Sequence, residues 1–394
     1  MIRTDMYKLG SNRSCIRELF EYGRRRSTVV GPENIFDYSL GNPSIPAPGE
    51  MDDAIRAVLA DTPSLAVHGY TPALGDLTAR EAIAQELTQR FNHPVTAGEL
   101  FLGCGAAPEL VSVFRALAVE ESEFIAIAPF FPEYRPFVES SGGKLVVVPP
   151  DLPDFQINLE ALAAALTPRT QAVILNSPNN PSGTVYTRET LEALAHLLEK
   201  KSAEFGHSIY IISDEPYREL VYDGVEAPFV PAIYKDTVVC YSYSKSLSLP
   251  GERIGYVYVP QAAADSGILF AAIAGAARAG GHVCAPSLWQ KVISRCTHLR
   301  PDLESYDRNR KTLYDALTQM GYEMPRPQGA FYLFIKAPGG DAQAFSDQAK
   351  ARDLLLVPGD DFGCSGYFRI CYCVSHDMIL RSLPVFRELI QSYR

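Results

Sequence analysis

An α/β fold, built on a mostly parallel sheet covered by helices and followed by a smaller α+β unit, is what this sequence predicts. Three observations predict it. Short apolar, β-branched runs alternate with helical stretches through the middle of the chain. Several of those runs end in clusters of polar side chains, and from Pro286 the alternation gives way to long helical stretches followed by strands. Strands buried on both faces read as continuous apolar runs, and helices between them are the crossovers that a parallel sheet requires.

In chain order, residues 12–30 read as a helix with Ile16, Leu19 and Phe20 on one face, and Arg24-Arg25-Arg26 falls on its solvated side. Loop chemistry follows in Gly41-Asn42-Pro43-Ser44-Ile45-Pro46-Ala47-Pro48. Residues 77–91 and 108–119 are amphipathic helices, the second entered from a glycine turn. The strand runs are 124–128, 145–148, 172–175, 209–212, 237–241 and 254–259, with a helix at 189–200. After Pro286 a long helical stretch, broken near Pro301, reaches Met320. Strands at 330–335, 354–357 and 367–372 and a helix at 377–393 complete a separate α+β unit, joined by the N-terminal segment. No repeat or low-complexity linker interrupts this order.

Composition bounds the function. Of the 394 residues 47% are hydrophobic and 21% charged, and 36 basic residues against 46 acidic ones give a net charge of −10. That balance argues against non-specific binding to nucleic acid or anionic membranes. No run approaches the ~18 apolar residues of a membrane span. The polar start lacks the apolar centre of a secretory signal, so the cytoplasm is the expected compartment. The eight cysteines form no CxxC motif. Cys371 and Cys373 alone are close, and on a strand they are expected on opposite or alternate faces as small buried groups, with no metal site.

The chemistry gathers at the strand ends, where open α/β sheets bind ligands. Lys245, in Ser242-Tyr243-Ser244-Lys245, follows a buried run, where desolvation disfavours a charged amine. Ser242 and Arg253 beside it suit a phosphate, since arginine makes bidentate phosphate contacts. Asp214 closes another apolar run, either as a helix cap or as the counter-ion of a protonated ring nitrogen. Its burial calls for a cationic partner. Asn180, in a turn-rich segment, and Tyr217 are candidate donors to a ring hydroxyl. Gly103-Cys104-Gly105-Ala106-Ala107-Pro108 opens a helix whose backbone amides suit a lone anion. A dinucleotide reading fails because Pro108 stands where the third glycine belongs. Phe131 is either a core ring or a stacking face for a flat ligand. Arg369, inside an apolar strand, calls for a carboxylate, from an internal acid or from a substrate.

Together, Asn179-Asn180-Pro181-Ser182-Gly183, Asp214-Glu215-Pro216-Tyr217 and Ser242-x-Ser244-Lys245 with Arg253-Ile254-Gly255 resemble the class I/II aminotransferases of the aspartate aminotransferase superfamily, the fold-type I pyridoxal phosphate enzymes. The resemblance runs from Ser39 to Ile370. It implies a seven-stranded, mostly parallel sheet in a large cofactor-binding domain at 48–285, a small domain at 286–394, and an arm at 1–47 shared with the small domain. It implies that Lys245 carries pyridoxal 5'-phosphate as a Schiff base, that Asp214 pairs with the pyridine nitrogen, and that Asn180 and Tyr217 bind the phenolic oxygen. Ser242, Arg253 and the Gly105-Ala106-Ala107 turn would hold the phosphate, Phe131 would stack on the ring, and Arg369 with Gly41 and Asn180 would receive the amino acid. Tyr70 matches a tyrosine that reaches the phosphate from the neighbouring subunit, which implies a homodimer with shared sites. Some members for acidic substrates carry a lysine at the position of Ala107, so the resemblance leaves acidic, apolar and aromatic substrates open.

The expected reaction moves an amino group from an L-amino acid to a 2-oxo acid. The alternative is a C–S or other β-lyase of the same fold. Some such lyases carry Ile-His after the Asp-Glu pair, whereas Pro216-Tyr217 follows here and favours transfer. A ligand-sensing regulator of this fold carries an added DNA-binding domain, for which the stretch before Gly41 is too short.

Overall fold

The computed structural model describes residues 2–11 and 14–393. A seven-stranded sheet contains β1 (Leu100–Gly103), β2 (Glu123–Ile127), β3 (Lys144–Val148), β4 (Thr170–Asn176), β5 (Tyr210–Asp214), β6 (Thr237–Ser242) and β7 (Gly255–Tyr258). Its spatial order is β1-β7-β6-β5-β4-β2-β3, and β7 alone runs antiparallel to its neighbours. The mostly parallel prediction therefore holds, with two differences. The run at 254–259 is the antiparallel strand, and β1 is an element that the sequence reading did not separate from the glycine turn behind it. Four residues of Leu100-Phe101-Leu102-Gly103 are too few to show a period.

Both faces of the sheet are buried, which explains the unbroken apolar runs. Along β2, Ile125 and Ile127 pack with Val173, Leu175 and Ile211 on one side. Phe124 and Ala126 pack with Ile174, Ile212 and Val238 on the other. Each buried isoleucine or valine contributes about 1.5–3 kcal/mol over its exposed state. The flanking helices are bounded by local chemistry. Asp76 caps Leu77–Phe91 by accepting from Ala79 N–H at 3.3 Å. Thr187 caps Arg188–Phe205, which ends at Gly206 in the left-handed region.

A second sheet of three strands, β8 (Tyr332–Lys336), β10 (Tyr367–Cys371) and β9 (Val357–Pro358), is antiparallel with β10 in the centre. Its core joins Leu333, Phe368 and Ile370 to Tyr38 and to Phe386 of the last helix, His376–Gln391. The N-terminal segment enters here through Phe36–Asp37, which pairs with Leu354–Leu355. Helix Cys15–Val30 adds Leu19 beside Leu355 and Phe362. That helix starts at Cys15, and positions 12 and 13 of the expected span lie outside the described residues. The stretch after Pro286 forms two helices, Ser287–Ile293 and Leu303–Met320. The first, with Cys296 just behind it, packs through Val292 and Ile293 on the core around Met51 and Val58, and the second packs through Tyr306 and Leu313 with the C-terminal sheet.

The cysteine expectation is corrected. Residues two apart on a strand share a face, and Sγ of Cys371 lies 2.9 Å from Sγ of Cys373, both thiols being free and buried.

Candidate active site

The carboxyl ends of β4, β5 and β6 lie side by side. Asn176 is in register with Asp214, and Asp214 with Cys240. Two residues past Cys240 the strand ends at Ser242, and the four-residue helix Tyr243–Ser246 turns Lys245 over this edge. A cavity of about 290 Å³ opens there, and Lys245, Asp214 and Arg369 all line it.

Lys245 Nζ donates to the Gly41 carbonyl at 2.7 Å. Burial pushes its amine below the ordinary lysine value, while Cys373 and Cys371 pull the other way. Its sole hydrogen bond among the described residues is to a neutral acceptor, so no carboxylate fixes its charge.

Asp214 is 5% exposed. Oδ2 accepts from the Tyr134 hydroxyl at 2.6 Å, and Oδ1 has no hydrogen-bond partner among the described residues. Desolvation raises its carboxyl to about 7 against the opposing pull of the Tyr134 bond. A phenol takes one oxygen, the other is left for a cationic partner, and the helix-cap alternative is removed because Asp214 ends a strand. Asn176 braces the turn, donating to the Asp214 carbonyl at 2.9 Å and accepting from Asn180 N–H at 2.7 Å. Tyr134 was missed as a functional residue, and Asn176 was marked only as part of a polar cluster, with no role of its own. Tyr134 lies three positions after Phe131, in a segment read only for its aromatic stacking.

Arg369 is 2% exposed and lies between the rings of Tyr332 and Phe362, 4.8 and 5.1 Å from their centroids. Nη1 donates to Asn180 Oδ1 at 3.0 Å and Nη2 to the Ser39 carbonyl, while Nε has no partner among the described residues. No internal carboxylate pairs with Arg369 among the described residues, which removes the salt-bridge alternative. Tyr217 shares a 2.7 Å hydrogen bond with the Tyr332 hydroxyl, and burial raises its phenol further above the usual range. Tyr332 carried no sequence signal, because nothing local marks an aromatic residue 115 positions away as the partner of Tyr217.

Ala106, Ala107, Ser242 and Arg253 also line the cavity. Gly105 precedes helix Ala106–Leu117 with φ +95°, and a side chain there would approach Arg253 Nη2 to 3.0 Å. Glycine is needed for that backbone and that proximity. Arg253 itself has φ +53° and donates to the Pro250 carbonyl at 3.0 Å. Phe131 also lines the cavity, edge-on to Tyr134 at 5.7 Å. Tyr70 is the predicted residue that is not brought in: it is 100% exposed and outside the lining.

The arrangement offers an amine nucleophile, a half-satisfied carboxylate, an anion seat at a helix start and a guanidinium for a carboxylate. Comparison with known proteins agrees. Residues 37–383 match the family model described as aminotransferase class I and II. The aspartate/prephenate aminotransferase of Thermus thermophilus is 30% identical over 365 residues, covering 89% of this chain and 90% of that protein. The aromatic-amino-acid aminotransferase 2 of Thermococcus litoralis is 27% identical over 96% of both chains. Among solved structures, an amino transferase from Eubacterium rectale superposes with a TM-score of 0.98 at 52% identity, covering 100% of this chain and 99% of that one. The aspartate aminotransferase of Thermotoga maritima gives 0.86 at 26% identity, covering 96% of this chain and 98% of that one.

Proposed function

The chain belongs to the class I and II aminotransferases, and from that membership we propose how its own side chains divide the work. It is a pyridoxal phosphate-dependent transaminase acting on an amino acid and a 2-oxo acid. Pyridoxal phosphate, when bound, supplies an aldehyde carbon that takes up the amino group and a ring that absorbs the electrons of the Cα–H bond. The residues present fit that group. Asp214 Oδ1 is buried and has no partner among the described residues, as a site for a protonated ring nitrogen should be. The glycine turn at Gly105 faces Arg253 and suits a phosphate.

In this reading Lys245 is the amine that bonds to the cofactor aldehyde. Freed from that bond, its amine, whose pKa burial lowers, would be the base that takes the proton from the substrate Cα and would deliver it to the carbon of the former cofactor aldehyde, on the far side of the nitrogen. Asp214, held by Tyr134, keeps the ring nitrogen protonated. Asn180 and Tyr217 hold the ring oxygen, with Tyr332 fixing Tyr217 in place. Ser242, Arg253 and the amides of Gly105, Ala106 and Ala107 hold the phosphate, and Phe131 covers the ring. Arg369 binds the substrate carboxylate, aided by Asn180 and the Gly41 backbone.

The coarse arrangement supports further parts of the proposal. Tyr70, fully exposed in one copy, serves the site of a partner copy in a homodimer. The protein works in the cytoplasm, and no described helix is long and apolar enough to cross a membrane. The arm and small domain form one unit, joined where Phe36–Asp37 pairs with Leu354–Leu355. The packing of Val292, Ile293 and Cys296 with the large core favours a junction between Cys296 and Leu303 over one at residue 286.

The observation that carries this reading is the single cavity shared by Lys245, Asp214 and Arg369. Borohydride reduction of the purified holoenzyme, followed by peptide mass analysis, tests it. The expected result is the cofactor mass on the Lys245 peptide alone. Cofactor on another lysine, or on none, would refute it.

A further inference from the structure

This inference rests on the proposed function and adds a residue to its phosphate seat. Among the described residues Glu109 is the one carboxyl with both oxygens buried and without a hydrogen bond. It is 2% exposed and does not line the cavity, and the division of work above gives it no task. A buried polar group left unpaired costs stability, so its place calls for a physical reason.

Glu109 is the fourth residue of helix Ala106–Leu117. Helical side chains lean toward the N-terminus, and this one runs back under the helix start onto the backbone of two strands. A side chain at Gly103, the last residue of β1, would come within 2.6 Å of Glu109 Oε1, and one at Gly255, the first residue of β7, within 3.0 Å. Those two glycines are in register with each other, and Gly255 is also in register with Ser242. Gly105 lies two residues beyond Gly103, and Arg253 two residues before Gly255. The Glu109 carboxyl therefore rests on the backbone from which every phosphate ligand proposed within one copy departs. All of these walls belong to a single chain, so the slot does not depend on a partner copy.

We propose that Glu109 is a positioning residue of the phosphate seat: wedged on the Gly103–Gly255 pair, its carboxyl orients the Gly105 turn and the Arg253 segment around one anion. It stands behind those ligands and outside the cavity. Its charge state matters there. Burial holds the carboxyl well above the usual range, against the Gly105 amide and Arg253 and with help from Asp214. An ionised carboxylate behind the turn would take up the positive potential of the helix amides and of Arg253, which a phosphate needs. An uncharged acid leaves that potential free and still presents oxygen to the Gly105 amide.

The test titrates the full-length protein, freed of cofactor, with pyridoxal phosphate and with pyridoxal, which lacks the phosphate. It compares the parent with Glu109→Gln, which keeps an oxygen in the slot, and Glu109→Met, which fills the slot without one. Glu109→Leu replaces the methionine variant if that one folds poorly. The expected result is that Glu109→Met loses about tenfold of the preference for pyridoxal phosphate over pyridoxal, the weight of one hydrogen bond. Glu109→Gln should keep the parent preference. The phosphorus NMR resonance of the bound cofactor should move in the apolar variant and stay in place in the amide variant. A role in packing alone would weaken both ligands alike, and an unchanged ratio in the apolar variant overturns the inference. So does a loss in Glu109→Gln equal to that in Glu109→Met, which would require a charged carboxylate. A parent that binds neither aldehyde at Lys245 overturns the proposed function itself.

Discussion

Tyr134 donates a 2.6 Å hydrogen bond to one carboxylate oxygen of Asp214 and leaves the other oxygen buried, without a partner among the described residues. The bond opposes the desolvation that raises Asp214 to about 7. Tyr134→Phe removes that opposition, so ionised Asp214 becomes harder to reach. A hydrogen bond to a charged group is worth about 1.5–3 kcal/mol, so turnover should fall by about ten- to a hundredfold while KM moves little. Steady-state kinetics check this, and an unchanged kcat would detach Tyr134 from the chemistry.

Asp214 also makes cofactor-free protein sensitive to pH. Its folded pKa of about 7 lies above the ordinary 3.8. Between about pH 4 and 7 the folded chain keeps a proton that the unfolded chain has released, so stability falls as pH rises through that window. The loss approaches about 4 kcal/mol above it, in order of magnitude. Asp214→Asn has no such titration. Its melting temperature relative to the parent should climb from pH 4 to pH 7 and then level. Thermal melts of both apo proteins measure the difference, and a gap independent of pH would contradict the argument.

These two residues illustrate what the sequence revealed. Asp214 was legible because a carboxylate ending an apolar run is chemically costly; Lys245 and Arg369 stood out for the same reason, and Arg253 for its place beside Lys245. Tyr134 and Tyr332 were not, because an aromatic ring in such places is ordinary, and only the fold sets Tyr332 against Tyr217 at 2.7 Å. The fold was readable through its buried strands, whose two-sided burial leaves unbroken apolar runs. The direction of β7 was not, since burial on both faces looks the same whichever way a strand runs. Cys371 and Cys373 were misread on local periodicity, which places positions two apart on the same face.

Arg369 gives a prediction that separates substrate binding from cofactor binding. Its guanidinium lies 4.8 and 5.1 Å from the ring centroids of Tyr332 and Phe362, and Nε has no partner among the described residues. Lysine cannot reproduce that planar fork. Arg369→Lys should lower kcat/KM for every amino acid by about a hundredfold or more, mostly through KM, with cofactor affinity little changed. Kinetics and cofactor titration on the same preparation test the split. Equal losses in both would mean that Arg369 holds the architecture of the site and not the substrate.

The exposure of Tyr70 leads to the last prediction. A fully exposed tyrosine in a loop costs nothing to replace if it has no partner, so Tyr70→Ala should leave the fold intact. If it completes the phosphate seat of a second copy, the same variant should weaken cofactor affinity and activity. Lys245→Ala, lacking the amine, should be inactive. Mixing the two variants, with subunit exchange, then gives hybrids in which one site has a native Lys245 on one copy and a native Tyr70 on the other. In a random equal mixture half of the dimers are hybrid and half of their sites are whole, so activity should recover toward about a quarter of the parent value. Each variant alone should stay below that level. A mixture no more active than the average of its two components would show that Tyr70 does not serve the neighbouring site.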